Sequence, residues 1–164
     1  MIIAVCSDAH GAKRHMDAML AALPESLDAL CFLGDVDKDA KYLDWGLREL
    51  RPGAAFYAVV GNNDPFSPLP QTIEMTFEGV KTMLTHGHLF QVKRTMNQLA
   101  SAAASRGCAL ALFGHSHWRT DETIGGVRLI NPGALMAGEW ALLEIQGTEL
   151  AVGMHVTGLG YATR

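Results

Sequence analysis

The chain opens Met1-Ile2-Ile3-Ala4-Val5-Cys6-Ser7-Asp8-Ala9-His10-Gly11. Its first six residues are an apolar run free of turn formers, the right length for a buried strand and far too short to cross a membrane. The run stops at a carboxylate and an imidazole two positions apart, followed by glycine. A strand ending in Asp-x-His-Gly delivers two metal-ligating side chains to a sheet edge, and open α/β sheets bind ligands at the carboxyl ends of their strands. Related endings recur at Gly34-Asp35, Gly61-Asn62-Asn63-Asp64, Thr85-His86-Gly87-His88 and Gly114-His115-Ser116-His117, each after an apolar run.

Outward from these endings, the spacing predicts alternating strands and helices in the first part of the chain. Met16, Met19, Leu20 and Leu23 share a helix face that Pro24 terminates. Leu27 to Leu33 is a second strand, and Leu43, Leu47 and Leu50 fall at helical spacing before Pro52. Asp37 and Asp39 open that helix and fit as caps of its free amides. Ala54 to Val60 is a third strand. Residues 72–77 then alternate apolar with polar, turn at Glu78-Gly79 and continue as Val80 to Leu84, the pattern of an antiparallel hairpin. Val92, Met96, Leu99, Ala100 and Ala103 predict one further helix face, closed by Gly107, before the apolar strand Cys108 to Phe113. The tail reads as hairpins around Gly125-Gly126 and Gln146-Gly147, separated by the rigid turn Asn131-Pro132-Gly133. Helix-connected strands in front and hairpins behind predict two packed sheets flanked by helices, in one domain over residues 1–164.

Composition narrows the function. A formal net charge of −4, with no basic run or basic helix face, argues against nucleic acid or an anionic membrane surface as the main partner. Cys6, Cys31 and Cys108 each lie in an apolar stretch without a Cys-x-x-Cys pair, which reads as reduced, buried thiols. No basic leader with a long apolar segment precedes the first strand, so the expected address is the cytoplasm. Oligomeric state is open, a homo-oligomer included.

Five of the seven histidines fall in the strand-end motifs; only His15 and His155 do not. Taken singly, each motif is an ordinary turn or a hydrogen-bonded histidine, and the weight comes from the set. Carboxylate, amide oxygen and imidazole donors without thiolate suit Mn²⁺, Fe²⁺, Zn²⁺, Co²⁺ or Ni²⁺ and disfavour a structural zinc knot. Asp8, His10, Asp35, Asn62, His86, His115 and His117 are too many ligands for one ion and suit two that share a bridging carboxylate. Two ions about 3.5–4 Å apart can hold a hydroxide as nucleophile and clamp a phosphoryl group. The resulting expectation is a phosphate-ester substrate.

In this order, Asp8-x-His10, Gly34-Asp35, Gly61-Asn62, His86 and Gly114-His115-Ser116-His117 resemble the calcineurin-like metallophosphoesterase superfamily. The short length and the Asn131-Pro132-Gly133 turn resemble its small bacterial and archaeal phosphodiesterase branch, the YfcE type. The resemblance spans nearly the whole chain. It implies a four-layer α/β/β/α sandwich with two divalent ions, manganese foremost, at one sheet edge. It further implies Asp8, His10, Asp35 and His117 around one ion and Asp35, Asn62, His86 and His115 around the other, Asp35 bridging.

The sequence departs from that pattern twice. The larger superfamily places a histidine after the motif asparagine, acting on the leaving group, where this chain has Asn63; Asp64 then reads simply as a turn residue. The segment after the Asn-Pro-Gly turn carries serine and a nearby arginine in the branch, but here it is Ala134-Leu135-Met136-Ala137-Gly138-Glu139. His88 reads either as a substrate-facing group or as a histidine that supports a ligand or lies on the surface. The expected activity is a phosphodiesterase in which Asp35, His88 and Asn63 are the candidate catalytic residues. Alternatives are a phosphomonoesterase or nucleotide hydrolase on the same metals, and a non-catalytic scaffold like the retromer subunit that shares this fold.

Overall fold

Side-chain alternation along the strands sorts the apolar residues into three interior layers. The structure is a computed structural model and describes residues 1–158; the final six positions of the expected domain lie outside the described residues. In chain order the elements are β1 (Ile2–Cys6), α1 (Lys13–Ala22), β2 (Ala29–Phe32), α2 (Asp37–Leu50), β3 (Ala55–Ala58), β4 (Thr72–Phe77), β5 (Val80–Thr85), α3 (Asn97–Ser105), β6 (Leu110–Leu112), β7 (Thr120–Ile124), β8 (Val127–Asn131), β9 (Glu139–Gln146) and β10 (Glu149–Val156). Single 3₁₀ turns occupy His88–Phe90 and Leu135–Ala137.

The strands form two five-stranded mixed sheets, ordered β10-β9-β1-β2-β3 and β4-β5-β6-β8-β7. Strand β1 points Ala4 and Cys6 at the helices α1 and α2, where they meet Met16, Met19, Leu43 and Leu47. Its alternate residues Ile3 and Val5 face the second sheet, among Leu84, Leu110, Leu112 and Ile130. In β6 the same alternation holds in reverse, with Ala111 turned outward to Leu99 and Ala103 of α3. Each large apolar side chain buried this way contributes about 1.5–3 kcal/mol. The layers are therefore helix, sheet, sheet, helix, the α/β/β/α order that the sequence predicts.

Two of the three predicted two-residue turns close as the twist of a hairpin requires, with φ positive at both positions: Glu78 (+46°) and Gly79 (+88°), Gly125 (+57°) and Gly126 (+82°). The last hairpin turn falls one residue later than expected, since Gln146 still belongs to β9 and the turn is Gly147-Thr148. The third helix departs from expectation. It begins at Asn97, because Gln91 adopts φ +52° and the chain turns there. Val92 and Met96 still pack in the α3 layer, so their spacing reads as helical although they precede the helix.

A second correction concerns α2. Asp37 and Asp39 do stand in its first turn, where acidic side chains suit the helix dipole, but neither caps it. Asp37 pairs with Lys41 at 2.7 Å and accepts from Ser67 at 2.9 Å, while Asp39 accepts the Gly11 N–H at 2.7 Å. The cap comes from Asp64, whose carboxylate accepts the N–H groups of Val36 (3.0 Å), Asp37 (2.8 Å) and Gly61 (3.2 Å). The three cysteines are buried and free. Cys6 and Cys31 belong to opposite faces of the first sheet, and burial pushes the Cys31 thiol up to about 12. No helix among the described residues is long and apolar enough to cross a membrane.

Candidate metal centre

Every predicted ligand sits just past the carboxyl end of a strand. Asp8 and His10 follow β1, Asp35 follows β2, and Asn62 lies four residues beyond β3 in the same sheet. His86 follows β5, and His115 and His117 follow β6, in the other sheet. Five of these residues curl into the left-handed region: Asp8 (φ +54°), His10 (+46°), Asp35 (+67°), His115 (+65°) and His117 (+61°). Only three other non-glycine residues among those described share that conformation, Val36 beside Asp35, Glu78 in a hairpin turn and Gln91 before α3, so the strain is concentrated at the strand ends. Such conformations cost about 1–3 kcal/mol each and persist where surrounding contacts enforce them.

The curled loops bring the donors together. His117 Nε2 lies 3.1 Å from Asp8 Oδ1, and His10 Nε2 lies 3.9 Å from Asp8 Oδ1 and 3.7 Å from Asp35 Oδ2. On the other side, His86 Nε2 lies 3.7 Å from Asp35 Oδ1, 3.9 Å from Asp8 Oδ1 and 3.2 Å from Asn62 Oδ1. Asp8, His10 and His117 form one group that could hold an ion, and Asp8, Asp35 and His86 form another. Asp8 belongs to both groups, and Asp35, with one oxygen 3.7 Å from His10 and the other 3.7 Å from His86, also stands between the two sides. His115 is in neither group; its ring centroid is 5.0 Å from that of His86, and its backbone N–H donates to Asp8 Oδ2 at 3.0 Å.

The donor set fits a cation. Asp8 and Asp35 are buried, and among the described residues their only ion-pair partners are histidines. Buried carboxylates without a compensating charge are costly. His86 Nδ1 lies 2.7 Å from the Leu33 carbonyl, which only accepts, so Nδ1 carries the proton. In the neutral ring Nε2 then presents a lone pair toward Asp8, Asp35 and Asn62 oxygens, which also present lone pairs. A metal ion satisfies that convergence, and the backbone carbonyl fixing the ring is the usual support of a ligating histidine.

Burial, then the neighbouring His86 and Lys93, lower the His115 pKa to about 4, so its imidazole is neutral at physiological pH. His88 is lowered too, chiefly by burial; its ring is 5.4 Å from His86, and its buried Nδ1 has no hydrogen-bond partner. Asn63 points its amide at a carboxylate: its N–H donates to Asp35 Oδ1 at 3.0 Å and its Nδ2 to Asp35 Oδ2 at 2.6 Å.

Several supporting residues carry no signal of that role in the sequence. Asp64 ties the Asn62 loop to the loop behind Asp35, and Asp39 holds the Gly11 amide beside His10. Burial raises the Asp39 pKa, the Gly11 hydrogen bond opposing it. Asn131, fully buried, donates to the Gly114 carbonyl at 2.9 Å and to Ser116 Oγ at 3.0 Å while accepting the Gly133 N–H.

Comparison with known proteins places this geometry. Residues 1–147 match the calcineurin-like phosphoesterase superfamily domain. A Mycoplasma pneumoniae protein named a probable metallophosphoesterase is 33% identical over 137 residues, covering 81% of this chain and 78% of the relative. A conserved Streptococcus pneumoniae protein described as a predicted phosphoesterase superposes with a TM-score of 0.77 at 24% identity, covering 95% of this chain and 89% of its own. Wild-type Vps29 from Entamoeba histolytica, complexed with Zn²⁺, superposes with a TM-score of 0.76 at 21% identity, covering 98% and 94%. The chain belongs to the calcineurin-like phosphoesterase superfamily.

Proposed function

From that membership we propose that the protein hydrolyses phosphate esters, and phosphodiesters in preference, with two divalent transition-metal ions, manganese the first choice. The observation that carries the reading is the convergence of acceptor atoms from Asp8, Asp35, Asn62 and His86 around carboxylates that no lysine or arginine neutralises among the described residues. Asp8, His10 and His117 would hold one ion; Asn62, His86 and His115 the other; Asp35 would be shared. Bound ions would supply an activated water and a Lewis-acid clamp on the phosphoryl oxygens.

The chain's own residues do the rest. Leu33 fixes the tautomer and orientation of His86, and the His115 amide holds Asp8. Asn63 orients Asp35 through two donors, but an amide has no proton to give at neutral pH. His88, whose ring lies 5.4 Å from that of His86 and whose Nδ1 has no hydrogen-bond partner, would serve as a hydrogen-bonding group beside the ions, and burial lowers its pKa. Diesters are favoured because they carry one negative charge where monoesters carry two. Arg119, the basic residue nearest in sequence to His117, is already engaged by Glu139 at 3.2 Å.

The Vps29 neighbour is described with zinc, so metal uptake alone does not separate an enzyme from a scaffold. Turnover does. Metal-stripped protein resupplied singly with Mn²⁺, Fe²⁺, Zn²⁺, Co²⁺ or Ni²⁺ is expected to hydrolyse bis(p-nitrophenyl) phosphate faster than p-nitrophenyl phosphate. Metal-loaded protein that turns over neither ester would favour the scaffold.

A further inference from the structure

Eight large apolar side chains are exposed among the described residues, and four of them, Phe66, Leu89, Trp118 and Met136, lie on segments that adjoin the strand-end motifs in sequence or are hydrogen-bonded to them. Phe66 follows the Asn62–Asp64 loop, Leu89 follows His88, and Trp118 follows His117. Met136 donates its N–H to the Asp8 carbonyl at 3.1 Å. Scattered exposed apolar residues need no explanation, but a grouping at one site does.

Trp118 is the informative member. It is 72% exposed although its own N–H and the side chain of the next residue are both held. Its N–H donates to Ser116 Oγ at 3.3 Å, and the next residue, Arg119, pairs with Glu139 and donates to the His155 carbonyl at 2.6 Å. The ring is therefore anchored at its base and free at its face. The Arg119–Glu139 pair also joins this loop to the 3₁₀ turn carrying Met136, whose other anchor is the Leu135 N–H on the Ser7 carbonyl at 2.8 Å. Trp118 and Met136 thus belong to two cross-tied loops that meet the Asp8, His10 and His117 group, where the His10 and His117 side chains keep 27% and 39% exposure. The turn that the family resemblance fills with serine and arginine is apolar here.

We propose that this rim, with Trp118 as its platform, binds a flat apolar group of the substrate, so that the preferred phosphodiesters bear an aromatic ring, either an aryl ester or a nucleobase. The chemistry at phosphorus rests on the phosphoesterase reading above; the rim does not. An indole face accepts a flat ring by stacking whatever its hydrogen-bond pattern, and a methyl group or a puckered ribose, which covers less of that face, gains less there. Loss of such a stack weakens binding about ten-fold.

The test measures binding to the manganese-loaded protein by calorimetry, with phenylphosphonate, thymidine 5′-monophosphate, methylphosphonate and ribose 5-phosphate as probes. Wild type is expected to bind one or both aromatic probes more tightly than their non-aromatic counterparts. Trp118→Ala should remove that margin, about ten-fold, and leave methylphosphonate and ribose 5-phosphate unchanged. Trp45→Ala, which removes another exposed tryptophan on α2, should change nothing. Loss for phenylphosphonate alone assigns an aryl group, and loss for the nucleotide assigns a base. Equal weakening of all four probes, or none, overturns the proposal, as does a wild type that does not distinguish them. Hydrolysis of bis(p-nitrophenyl) phosphate is followed separately: absent turnover with intact discrimination would sink the phosphoesterase reading and leave the rim standing.

Discussion

Replacing Asp64 with alanine removes three hydrogen bonds that this carboxylate accepts from two loops. Val36 and Asp37 lie at the start of α2, which no side chain of its own first turn caps, and Gly61 opens the loop carrying Asn62. A lost helix cap costs about 0.5–2 kcal/mol. Hydrogen bonds to a charged acceptor reach about 1.5–3 kcal/mol each, but Asp64 is only half-buried, so water replaces much of the loss. A net cost of about 2 kcal/mol follows, and for a chain of this size it lowers Tm by roughly 4–8 °C. Asp64→Asn should lie between. One amide oxygen can keep Val36 and Gly61, but its NH₂ then faces the Asp37 N–H. The same bonds fix Asp35 (φ +67°) and Val36 (φ +79°), so manganese affinity should fall about 10–100-fold, as it does when a ligand's support is removed. Thermal unfolding of the metal-free variants and calorimetric manganese titration read both effects. An unchanged Tm in Asp64→Ala, or an asparagine variant weaker than the alanine one, would refute the cap.

Asp35→Asn should lose more metal and more activity than His10→Ala, since a shared carboxylate serves both ions and offsets their repulsion; equal residual metal content in the two would show that Asp35 is not shared. Asp39 carries a pKa raised by burial, so folding binds more proton than unfolding does, and its ionisation subtracts stability at neutral pH. Asp39→Asn can still accept the Gly11 N–H, so it should raise the Tm of the metal-free protein at pH 7. That advantage should vanish as pH falls below about 4, where both states of the wild type are protonated. With Asn63 in place of an acid, rates across aryl and alkyl diesters should depend steeply on leaving-group pKa, because a positioned donor is worth about 10²–10⁴-fold. Asn63→His should flatten that dependence; a flat wild-type series would mean that a donor already exists, with His88 the first to examine.

What the sequence reveals and what it hides divide along the range of the interactions. Strand β1 is legible because its alternation and its abrupt end at Asp8 are local, and the same holds at Asp35, His86 and His115. The capping of α2 is not: the acceptor, Asp64, comes from 27 residues beyond Asp37, while the nearby Asp37 and Asp39 look like better caps and are engaged elsewhere. Met96 and Val92 mislead for a related reason, since a side chain can join the α3 layer from outside the helix. The glycines of the motifs are visible, yet their purpose is not. A Cβ on Gly61 would lie 2.1 Å from Asp35 Oδ1, and one on Gly114 would lie 1.9 Å from Ser7 Oγ. They permit one strand-end loop to lie against another, a contact no single motif contains.

That crowding has a consequence for stability. Asp8 is fully buried, with Oδ2 held by the His115 N–H and Oδ1 facing His117 and His86. Nearby Asp35 is buried as well, so two carboxylates confront one another's charge where solvent cannot screen it. Without a metal ion, neutralising one of them should help. Asp8→Asn keeps an oxygen for the His115 N–H and turns an NH₂ toward His117 Nε2, which can accept it by carrying its proton on the other ring nitrogen. The metal-free variant should therefore melt above metal-free wild type. Saturating manganese should reverse the order, because a ligand bound only by the folded state stabilises it by mass action and the variant has lost a donor. Parallel melts with and without manganese decide the matter. A variant less stable than wild type in both conditions would show that Asp8 serves as a structural hydrogen-bond acceptor, and that the buried charge is not what the site holds ready for a cation.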